Sequence, residues 1–319
     1  MKISVIGGGA WGTALASILC DTTTNVVLYA REKEAVDSIN NFHENRAFLP
    51  NKTLPKELRA TDKLADVLGA DIILLTTPAQ YFRAQLNEIK KNKPDGNIFF
   101  IICTKGIENE SLCLMSEIFE EILGKNYGIF SGPTFASEVA DGINTSISLA
   151  CGDAKKCEEI KNIIGRKTLR IHTNNDIIGS QVCGAIKNVI AIGCGIASGL
   201  GQGENSKAAL VTQGFHEIML VTAKMGGKAE TLSQPCGIGD LVLTCNSEKS
   251  RNFSFGVSLA KKQTKDDILK GKNAIVEGVA TSRAVVNLAK KLGLNLPLCK
   301  KINQVIENKA EAQEILTLV

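Results

Sequence analysis

The first dozen residues of the chain combine a short apolar run with three spaced glycines. Lys2 to Ile6 is typical of a buried strand, and Gly7, Gly9 and Gly12 follow in the spacing G-x-G-x-x-G, before a predicted helix from Thr13 to Cys20. In this motif the first glycine permits a tight turn, the second lets the backbone approach a pyrophosphate, and the third allows the helix to pack closely on the strand. The helix N-terminus adds N–H groups that favour phosphate. The segment predicts a dinucleotide site, although a purely structural glycine-rich turn has the same spacing.

Length and composition limit the classes of protein to consider. With 319 residues, of which 44% are hydrophobic and 22% charged, the chain is typical of a globular protein with two domains. The net charge of +4 is spread along the sequence, so nucleic acid is not indicated as a partner, whereas small anions are. The N-terminal apolar run is too short for a signal peptide, and the longest apolar stretch, residues 185–200, contains Lys187 and Asn188. We therefore expect no membrane span and a cytoplasmic location.

The ten cysteines include no C-x-x-C pair and none of the usual zinc spacings. Most of them, among them Cys103, Cys183 and Cys194, lie in apolar surroundings. We expect reduced thiols in the core and no metal site.

Strand-like and helix-like segments alternate in the first half of the chain, the pattern of a parallel sheet with helices on both faces. Strands are predicted at Lys2–Ile6, Asn25–Tyr29, Ile72–Thr76, Ile98–Cys103, Gly128–Phe130 and Ser146–Ala150, and helices at Thr13–Cys20, Glu32–Asn40, Ala79–Lys90 and Ser111–Leu123. From about Asp176 the pattern changes to long helices, at Ile177–Gly199 and Lys207–Met225. The fold class is thus α/β: a Rossmann-type doubly wound parallel sheet over residues 1–180, followed by an all-α domain over residues 181–319 that would hold the substrate.

The end of the second strand bears on the choice of nicotinamide cofactor. An acidic residue there binds the ribose 2′-OH of NAD, whereas an arginine accommodates the 2′-phosphate of NADP. Here the strand runs through Tyr29 into Ala30 and Arg31, which favours NADPH over NADH. Two alternatives stay open: Arg31 as a solvated surface charge, and Glu32, at the usual interval after the glycines, as the ribose ligand.

Three charged residues stand where a simple core would not place them. Lys105 follows a strand at the sheet edge where ligands of such sheets bind. Lys187 interrupts an otherwise apolar helix, and buried lysines are rare, so a functional role is favoured over a side chain that extends to solvent. Asp240 lies in the turn Gly237-Ile238-Gly239-Asp240-Leu241, where a helix N-cap is an equally good interpretation.

The order and spacing of several motifs resemble those of the bacterial-type NAD(P)-dependent sn-glycerol-3-phosphate dehydrogenases. The similarity extends over nearly the whole chain. The motifs that carry it are Gly7-Gly8-Gly9-Ala10-Trp11-Gly12-Thr13, Thr104-Lys105-Gly106, Ser131-Gly132-Pro133-Thr134-Phe135-Ala136, Lys187-Asn188, Gly237-Ile238-Gly239-Asp240-Leu241-Val242-Leu243-Thr244-Cys245, Ser250-Arg251-Asn252 with Gly256, and Val276-Glu277-Gly278. The resemblance implies reversible transfer of a hydride between NAD(P)H and dihydroxyacetone phosphate, giving sn-glycerol 3-phosphate for glycerophospholipid synthesis.

The resemblance also implies residue roles. Lys187 is similar to the family's proton donor and acceptor at the second carbon of the substrate, Asp240 to its partner, and Lys105 to the lysine that reaches substrate and cofactor together. Glycerol phosphate would be held by these three residues together with Gly132, Thr134, Ser250, Arg251 and Asn252. The cofactor side would comprise Gly7, Gly9, Ala10, Trp11, Gly12, Arg31, Lys105, Ala136, Arg251, Ile275 and Glu277. An unperturbed lysine is a sluggish base near neutral pH, so burial and the charge of Lys105 would have to lower the pKa of Lys187.

Two segments depart from the family pattern. Gln234-Pro235-Cys236 replaces a run that more often resembles Gly-Leu-Ala, which leaves the shape of the loop before Asp240 open. Gln213 stands where an arginine is usual, so an ion pair is expected to be missing.

Two rival interpretations remain. One is another two-domain nicotinamide dehydrogenase that acts on a hydroxy acid or sugar acid; Ser250-Arg251-Asn252 argues against it, because this segment suits a terminal phosphate better than a carboxylate. The other is a protein that binds a dinucleotide without turnover, which would give the buried Lys187 no purpose. The sequence leaves the oligomeric state open, with a homodimer among the options, along with the preferred direction and feedback control.

Overall fold

The computed structural model of this chain describes residues 1–21, 24–94, 97–270 and 275–318. They form two compact units, each with its own core. The N-terminal unit comprises residues 1–104, 115–130 and 134–175. The helical unit comprises residues 105–114, residues 131–133 and the chain from Asp176 onward.

The N-terminal unit is built on one sheet of eight strands, in the spatial order β3-β2-β1-β4-β5-β6-β7-β8. The strands are β1 (Lys2–Ile6), β2 (Asn25–Tyr29), β3 (Arg59–Thr61), β4 (Ile72–Leu75), β5 (Phe99–Ile102), β6 (Tyr127–Ser131), β7 (Thr145–Cys151) and β8 (Leu169–Asn174). The pairs β1–β2, β1–β4, β2–β3, β4–β5, β5–β6 and β7–β8 are parallel. The strand order turns back at β1 and continues through β4, the arrangement of a doubly wound sheet.

Helices connect these strands. They are α1 (Ala10–Leu19), α2 (Lys33–Phe42), α3 (Ala79–Lys91), α4 (Met115–Leu123), α5 (Ala136–Ala140) and α6 (Ala154–Ile164). The central strands β4 and β5 are continuous apolar runs that are buried along their whole length, as expected where helices cover both faces. The Rossmann-type α/β fold predicted from the sequence is confirmed.

Several elements differ from the sequence prediction. The helices predicted from Thr13 and from Lys207 each begin three residues earlier, at Ala10 and Glu204, and most of the other predicted ends shift by one or two residues. The strands β3 and β8 were not predicted; both lie at the edges of the sheet, where β8 alternates buried and exposed residues and β3 has only three residues. The helix predicted from Ser111 begins at Met115, because the Ser111 hydroxyl bonds to the Glu108 carboxylate and a turn closes before the helix.

The helical unit contains α7 (Ile177–Gly199), α8 (Glu204–Lys224), α9 (Asp240–Cys245), α10 (Arg251–Ala260), α11 (Lys265–Leu269), α12 (Glu277–Leu292) and α13 (Pro297–Ile306). At its centre is α7, in which every residue from Gly179 to Ala197 is buried. It packs against α8, α9, α10, α12 and α13. A mainly apolar helix that is buried on all sides in this way is a core helix.

By length and composition alone α7 could cross a membrane, and no other helix in the described ranges meets the same test. Its most apolar window is 89% buried within the protein, as in the core helix of a globular domain. None of the ten cysteines, all of which lie in the described residues, forms a disulfide bond, and all but the half-buried Cys113 are buried.

Candidate active site

The side chain of Lys187 lies in the core of the helical unit. It projects from the middle of α7 and is only 8% exposed. An ammonium ion in such a position is costly unless it is paired and hydrogen-bonded. Its partners come from the short helix α9, which packs against α7.

Asp240, the first residue of α9, supplies that pairing. The carboxylate is 1% exposed, and its Oδ1 accepts a hydrogen bond from Lys187 Nζ at 2.6 Å. The preceding residues Pro235–Gly239 form a wide π-helical turn, in which a Cβ on Gly237 would stand 2.1 Å from the Leu232 carbonyl oxygen. The N-cap of α9 is Gly239, so Asp240 is not the N-cap that its sequence context also allowed.

Lys105 binds the other oxygen of the same carboxylate. Its Nζ lies 2.6 Å from Asp240 Oδ2 and donates a second hydrogen bond, of 3.0 Å, to the carbonyl of Gly132. The Lys105 side chain is 19% exposed, compared with 8% for Lys187. The structure therefore brings together Lys187, Asp240, Lys105 and Gly132, four residues that the sequence predicted for the site.

Thr244 completes the coordination of Lys187, and the sequence analysis gave it no role. Its hydroxyl accepts a hydrogen bond from Lys187 Nζ at 2.8 Å and lies 2.6 Å from the backbone carbonyl of Asp240, to which it donates. Thr244 follows Asp240 by four residues, a spacing that places both on one face of a helix and could have identified it. Lys187 and Lys105 each have two acceptors within the described chain, which leaves one of their three N–H groups for a ligand.

Burial and the neighbouring charges change the pKa of Lys187. Burial lowers the pKa of its ammonium from 10.5 to about 8; the Asp240 carboxylate opposes that shift, and the Lys105 ammonium adds to it. Lysine with such a pKa exchanges protons readily near neutral pH. The cluster of two ammonium groups on one carboxylate has a net charge of +1, which favours an anionic ligand.

The N-terminus of α10 provides a second concentration of polar groups in the helical unit. Ser250 is its N-cap and accepts a hydrogen bond from the Phe253 N–H, and the exposed Arg251 is the first helical residue. A helix N-terminus with an adjacent guanidinium is well suited to bind a phosphate. Partial desolvation of the guanidinium lowers the pKa of Arg251. The Glu277 carboxylate attracts the same guanidinium and opposes that shift.

Asn252, also predicted to bind substrate, is engaged within the protein. Its Nδ2 donates to Asn188 Oδ1 and its Oδ1 accepts from the Gly278 N–H, both at 2.9 Å. Asn252 thus connects α7, α10 and the start of α12, where Glu277 is the first residue and the exposed Ile275 lies just before it.

Close contact between two helices sets the position of the α10 N-terminus. A Cβ on Gly256 of α10 would stand 2.1 Å from the Ile192 carbonyl oxygen of α7, and one on Gly195 would stand 2.0 Å from the Phe253 carbonyl oxygen. Only glycine allows the two backbones to approach this closely. The Ser250-Arg251-Asn252 segment is therefore fixed relative to Lys187 by backbone packing.

In the N-terminal unit the three motif glycines have distinct surroundings. Gly7 has φ of +123°, and a Cβ on it would stand 2.4 Å from Thr76 Oγ1. A Cβ on Gly12 would stand 1.9 Å from the Gly7 carbonyl oxygen, whereas Gly9, the N-cap of α1, has no atom of another segment within 4 Å of that position. Gly7 and Gly12 shape the turn, and Gly9 leaves open space at a helix N-terminus where no side chain caps the N–H groups. A pyrophosphate fits this cradle.

The other residues predicted for the cofactor in this unit lie near the start of α1 or at the ends of strands. Ala10 and Trp11 open α1 and pack, together with Ala136 at the start of α5, against a small cluster of Ala14, Leu49 and Val139. Thr134, which was predicted for the substrate and not for the cofactor, is half-buried between β6 and α5. The exposed Arg31 lies two residues beyond β2, and Glu32 is the N-cap of α2.

The two departures from the family pattern have defined structures. In the segment before Asp240, the thiol of Cys236 is fully buried and lies 3.7 Å from Ser180 Oγ. Gln213 donates a hydrogen bond of 3.3 Å to Glu217, whose fully buried carboxylate accepts from the N–H groups of Leu298 and Cys299 at the start of α13. The helix N-terminus compensates the Glu217 charge without an arginine.

No group of three or more histidine, cysteine or acidic side chains in the described residues could hold a metal ion. The described residues instead present a buried, paired lysine and a glycine turn with room for a dinucleotide. A chain with this fold and these groups is a two-domain dehydrogenase that uses a nicotinamide dinucleotide.

Comparisons with known proteins define the class further. The family models for the N-terminus and the C-terminus of NAD-dependent glycerol-3-phosphate dehydrogenase match residues 2–157 and 176–317. The glycerol-3-phosphate dehydrogenase [NAD(P)+] of Parvibaculum lavamentivorans is 40% identical over 98% of this chain and 94% of its own, and that of Rhodospirillum rubrum is 43% identical over 95% and 87%. The crystal structure of glycerol-3-phosphate dehydrogenase from Coxiella burnetii aligns with a TM-score of 0.95 and 32% identity, covering 99% of this chain and 97% of that one.

The chain belongs to the NAD-dependent glycerol-3-phosphate dehydrogenase family. It is an oxidoreductase that uses NAD or NADP to interconvert dihydroxyacetone phosphate and sn-glycerol 3-phosphate. The resemblance identified from the sequence motifs is confirmed, and both rival interpretations are set aside.

Proposed function

We propose that Lys187 is the group that exchanges a proton with the substrate oxygen, and that the helical unit supplies most of the residues that bind the substrate. The observation that carries the proposal is the Asp240 carboxylate shared by Lys187 and Lys105 at 2.6 Å each. It orients both ammonium groups, each of which keeps one N–H for the substrate.

A nicotinamide dinucleotide, when bound, would supply the hydride for reduction of the C2 carbonyl of dihydroxyacetone phosphate. Lys187 donates its proton to the oxygen as negative charge develops there, and becomes a neutral amine. In the reverse direction the neutral amine accepts the proton of the alcohol. Lys105 stabilises the same developing charge, because its ammonium faces the same carboxylate and is partly exposed.

The substrate phosphate would lie at the N-terminus of α10, bound by Ser250, Arg251 and the first N–H groups of the helix. Gly132 and Thr134 complete the proposed substrate set. Asn252 contributes through its side-chain bonds to Asn188 and Gly278, which hold the segment in place.

In the N-terminal unit the dinucleotide would be bound by Gly7, Gly9, Ala10, Trp11, Gly12, Arg31 and Ala136. The family resemblance also assigns Lys105, Arg251, Ile275 and Glu277 to the cofactor. NADPH is the favoured cofactor, since Arg31 follows β2 where an acid would bind the ribose of NADH. The chain would act in the cytoplasm and supply glycerol phosphate to glycerophospholipid synthesis.

A single assay tests the substrate and cofactor assignments. Oxidation of NADPH and of NADH is followed with dihydroxyacetone phosphate, dihydroxyacetone, and a panel of 2-keto acids. Of these substrates, we expect only dihydroxyacetone phosphate to be turned over, with a higher kcat/KM for NADPH than for NADH. Equal activity with unphosphorylated dihydroxyacetone would exclude the phosphate site at α10.

A further inference from the structure

We propose that Asn45 is a positioning residue for the dinucleotide, because it fixes the peptide between Gly8 and Gly9. The inference rests on the proposed dinucleotide site and adds a residue that lies outside the glycine motif. Asn45 is fully buried in the N-terminal unit. It lies 37 residues after Gly8 in the sequence, so the glycine motif itself does not point to it.

The side-chain amide of Asn45 forms hydrogen bonds to the glycine turn and to the start of α1. Its Nδ2 donates to the Gly8 carbonyl at 2.9 Å and to Thr13 Oγ1 at 2.7 Å. The Thr13 hydroxyl lies 3.3 Å from the same Gly8 carbonyl and donates to it. One carbonyl of the turn thus accepts from two buried side chains, one on α1 and one on a distant loop.

Peptide geometry transmits this contact to the proposed phosphate site. The Gly8 carbonyl and the Gly9 N–H belong to one planar trans peptide, in which the C=O and N–H bonds point in opposite directions. With the carbonyl directed at Asn45 and Thr13, the Gly9 N–H is directed away from them. Gly9 is the position with open space at the start of α1, where a pyrophosphate would approach.

Glycine on both sides of this peptide makes such an anchor necessary. A rotation of the peptide plane changes ψ of Gly8 and φ of Gly9, and glycine tolerates nearly all values of both angles. The sequence Gly7-Gly8-Gly9 therefore gives the turn room for a ligand but does not itself fix the direction of the N–H group. Asn45 supplies the constraint.

The loop that carries Asn45 is itself held firmly. Asn45 Oδ1 accepts from the Phe48 N–H at 3.2 Å, and the Asn45 carbonyl accepts from the Leu49 N–H at 2.8 Å. Leu49 is buried against Ala14 and Val139. Further along the loop, Lys52 forms an ion pair with Asp141, with 2.5 Å between Nζ and Oδ2.

The test compares Asn45→Leu with a matched control, Asn40→Leu. Leucine keeps the approximate volume and removes the amide. Asn40 is the appropriate control because its amide also bridges to backbone in the N-terminal unit, at 2.9 Å to both the Ala60 carbonyl and N–H, without contact to the glycine turn. For each full-length variant we would measure NADPH affinity by fluorescence titration, the KM for NADPH and for dihydroxyacetone phosphate, kcat, and Tm.

We expect Asn45→Leu to raise the dissociation constant and the KM for NADPH about tenfold, the effect of one lost hydrogen bond at a buried carbonyl. The kcat at saturating cofactor and the KM for dihydroxyacetone phosphate should stay within about threefold of wild type. Asn40→Leu should lower Tm without changing NADPH affinity. Equal NADPH affinity in wild type and Asn45→Leu, or an equal loss in both variants, would overturn the proposal.

If Asn45→Leu does not fold, Thr13→Val decides the question. Valine keeps the shape of threonine and removes the hydroxyl that receives Asn45 Nδ2 and reaches the Gly8 carbonyl. A loss of NADPH affinity of about threefold or more, with kcat retained, supports the proposal, and unchanged affinity rejects it. Failure of the wild-type chain to bind NADPH or NADH would instead refute the dinucleotide site itself, which separates the two proposals.

Discussion

Lys187 donates a hydrogen bond of 2.8 Å to the hydroxyl of Thr244, a residue on the same short helix as Asp240. Because these two acceptors are four residues apart, one face of α9 holds the ammonium at two points. The Thr244 hydroxyl donates to the Asp240 backbone carbonyl and is therefore restricted to accepting from Lys187. The direction of the lysine is set by α9, and α7 supplies the apolar surroundings that lower its pKa.

Replacing Lys187 with alanine tests its chemical role. Removal of a general acid or base usually costs about 10²- to 10⁴-fold in rate, so we expect at least that loss in turnover at saturating dihydroxyacetone phosphate. NADPH affinity, measured by fluorescence on the same preparation, should be retained, since the glycine turn is in the other unit and alanine favours the helix. Turnover within a few-fold of wild type would remove Lys187 from the mechanism, and loss of both properties would indicate misfolding.

The pH dependence of turnover should report the ionisation of Lys187. Ketone reduction needs the protonated ammonium, so kcat for reduction should fall as pH rises through about 8, and kcat for oxidation should rise over the same range. The Lys105 ammonium lowers the pKa of Lys187, so Lys105→Met should move the inflection to higher pH. Asp240→Asn should move it to lower pH. Steady-state pH profiles of the three proteins check both signs; the same inflection in all of them would exclude Lys187 as the titrating group.

Cofactor preference is predicted to depend on Arg31. Arg31→Ala should weaken NADPH binding about tenfold or more and leave NADH nearly unchanged, because only NADPH presents a 2′-phosphate to the guanidinium. Lys33→Ala removes an exposed positive charge from the first turn of α2 and is the control for simple loss of charge. Kinetics with both cofactors, for both variants, measure the difference. Equal losses for NADPH and NADH would reject the assignment.

The sequence predicted the elements whose signals are local. Strand β1 and helix α7 begin and end where predicted, because both are mainly apolar segments with clear boundaries. The edge strands β3 and β8 were missed, since only one face of such strands needs apolar residues. Lys187 was identified because a lysine within an apolar helical segment is unusual and is visible from the sequence alone.

Contacts that depend on tertiary structure could not be read from the sequence. The bond from Asn45 to Gly8 and the bond from Asn252 to Gly278 join segments with no common pattern. The shared carboxylate of Asp240 likewise requires Lys105 and Lys187, which are 82 residues apart in sequence, to meet on α9. Local sequence context singled out Asp240 and Lys105, and the family resemblance gave them roles. The geometry explains how one carboxylate pairs with both lysines.

Close packing of α7 and α10 gives a prediction about stability. Gly256→Ala would place a methyl group 2.1 Å from the Ile192 carbonyl oxygen, so the helices must separate. Overpacking of this kind costs about 1–3 kcal/mol, measurable by urea unfolding. The control is Gly69→Ala, because Gly69 is exposed with no atom of another segment within 4 Å of the added Cβ, and its effect should be about 0.5 kcal/mol or less. Equal stability of both variants would show that the α7–α10 contact is not tight.

Substrate phosphate recognition is predicted to depend on Arg251 at the N-terminus of α10. Arg251→Ala removes a fork of donors to the phosphate, and charge-assisted hydrogen bonds of this type are worth about 1.5–3 kcal/mol, so the KM for dihydroxyacetone phosphate should rise about 10- to 100-fold. Arg251→Lys should recover only part of the loss, because an ammonium cannot reproduce the planar fork. Lys249→Ala, which removes an exposed positive charge two residues away, is the matched control and should change KM less than about threefold. Steady-state kinetics at saturating NADPH measure all three variants. Near-normal KM in Arg251→Ala would mean that the phosphate is bound elsewhere, and an equal rise in Lys249→Ala would reduce the effect to general electrostatic attraction.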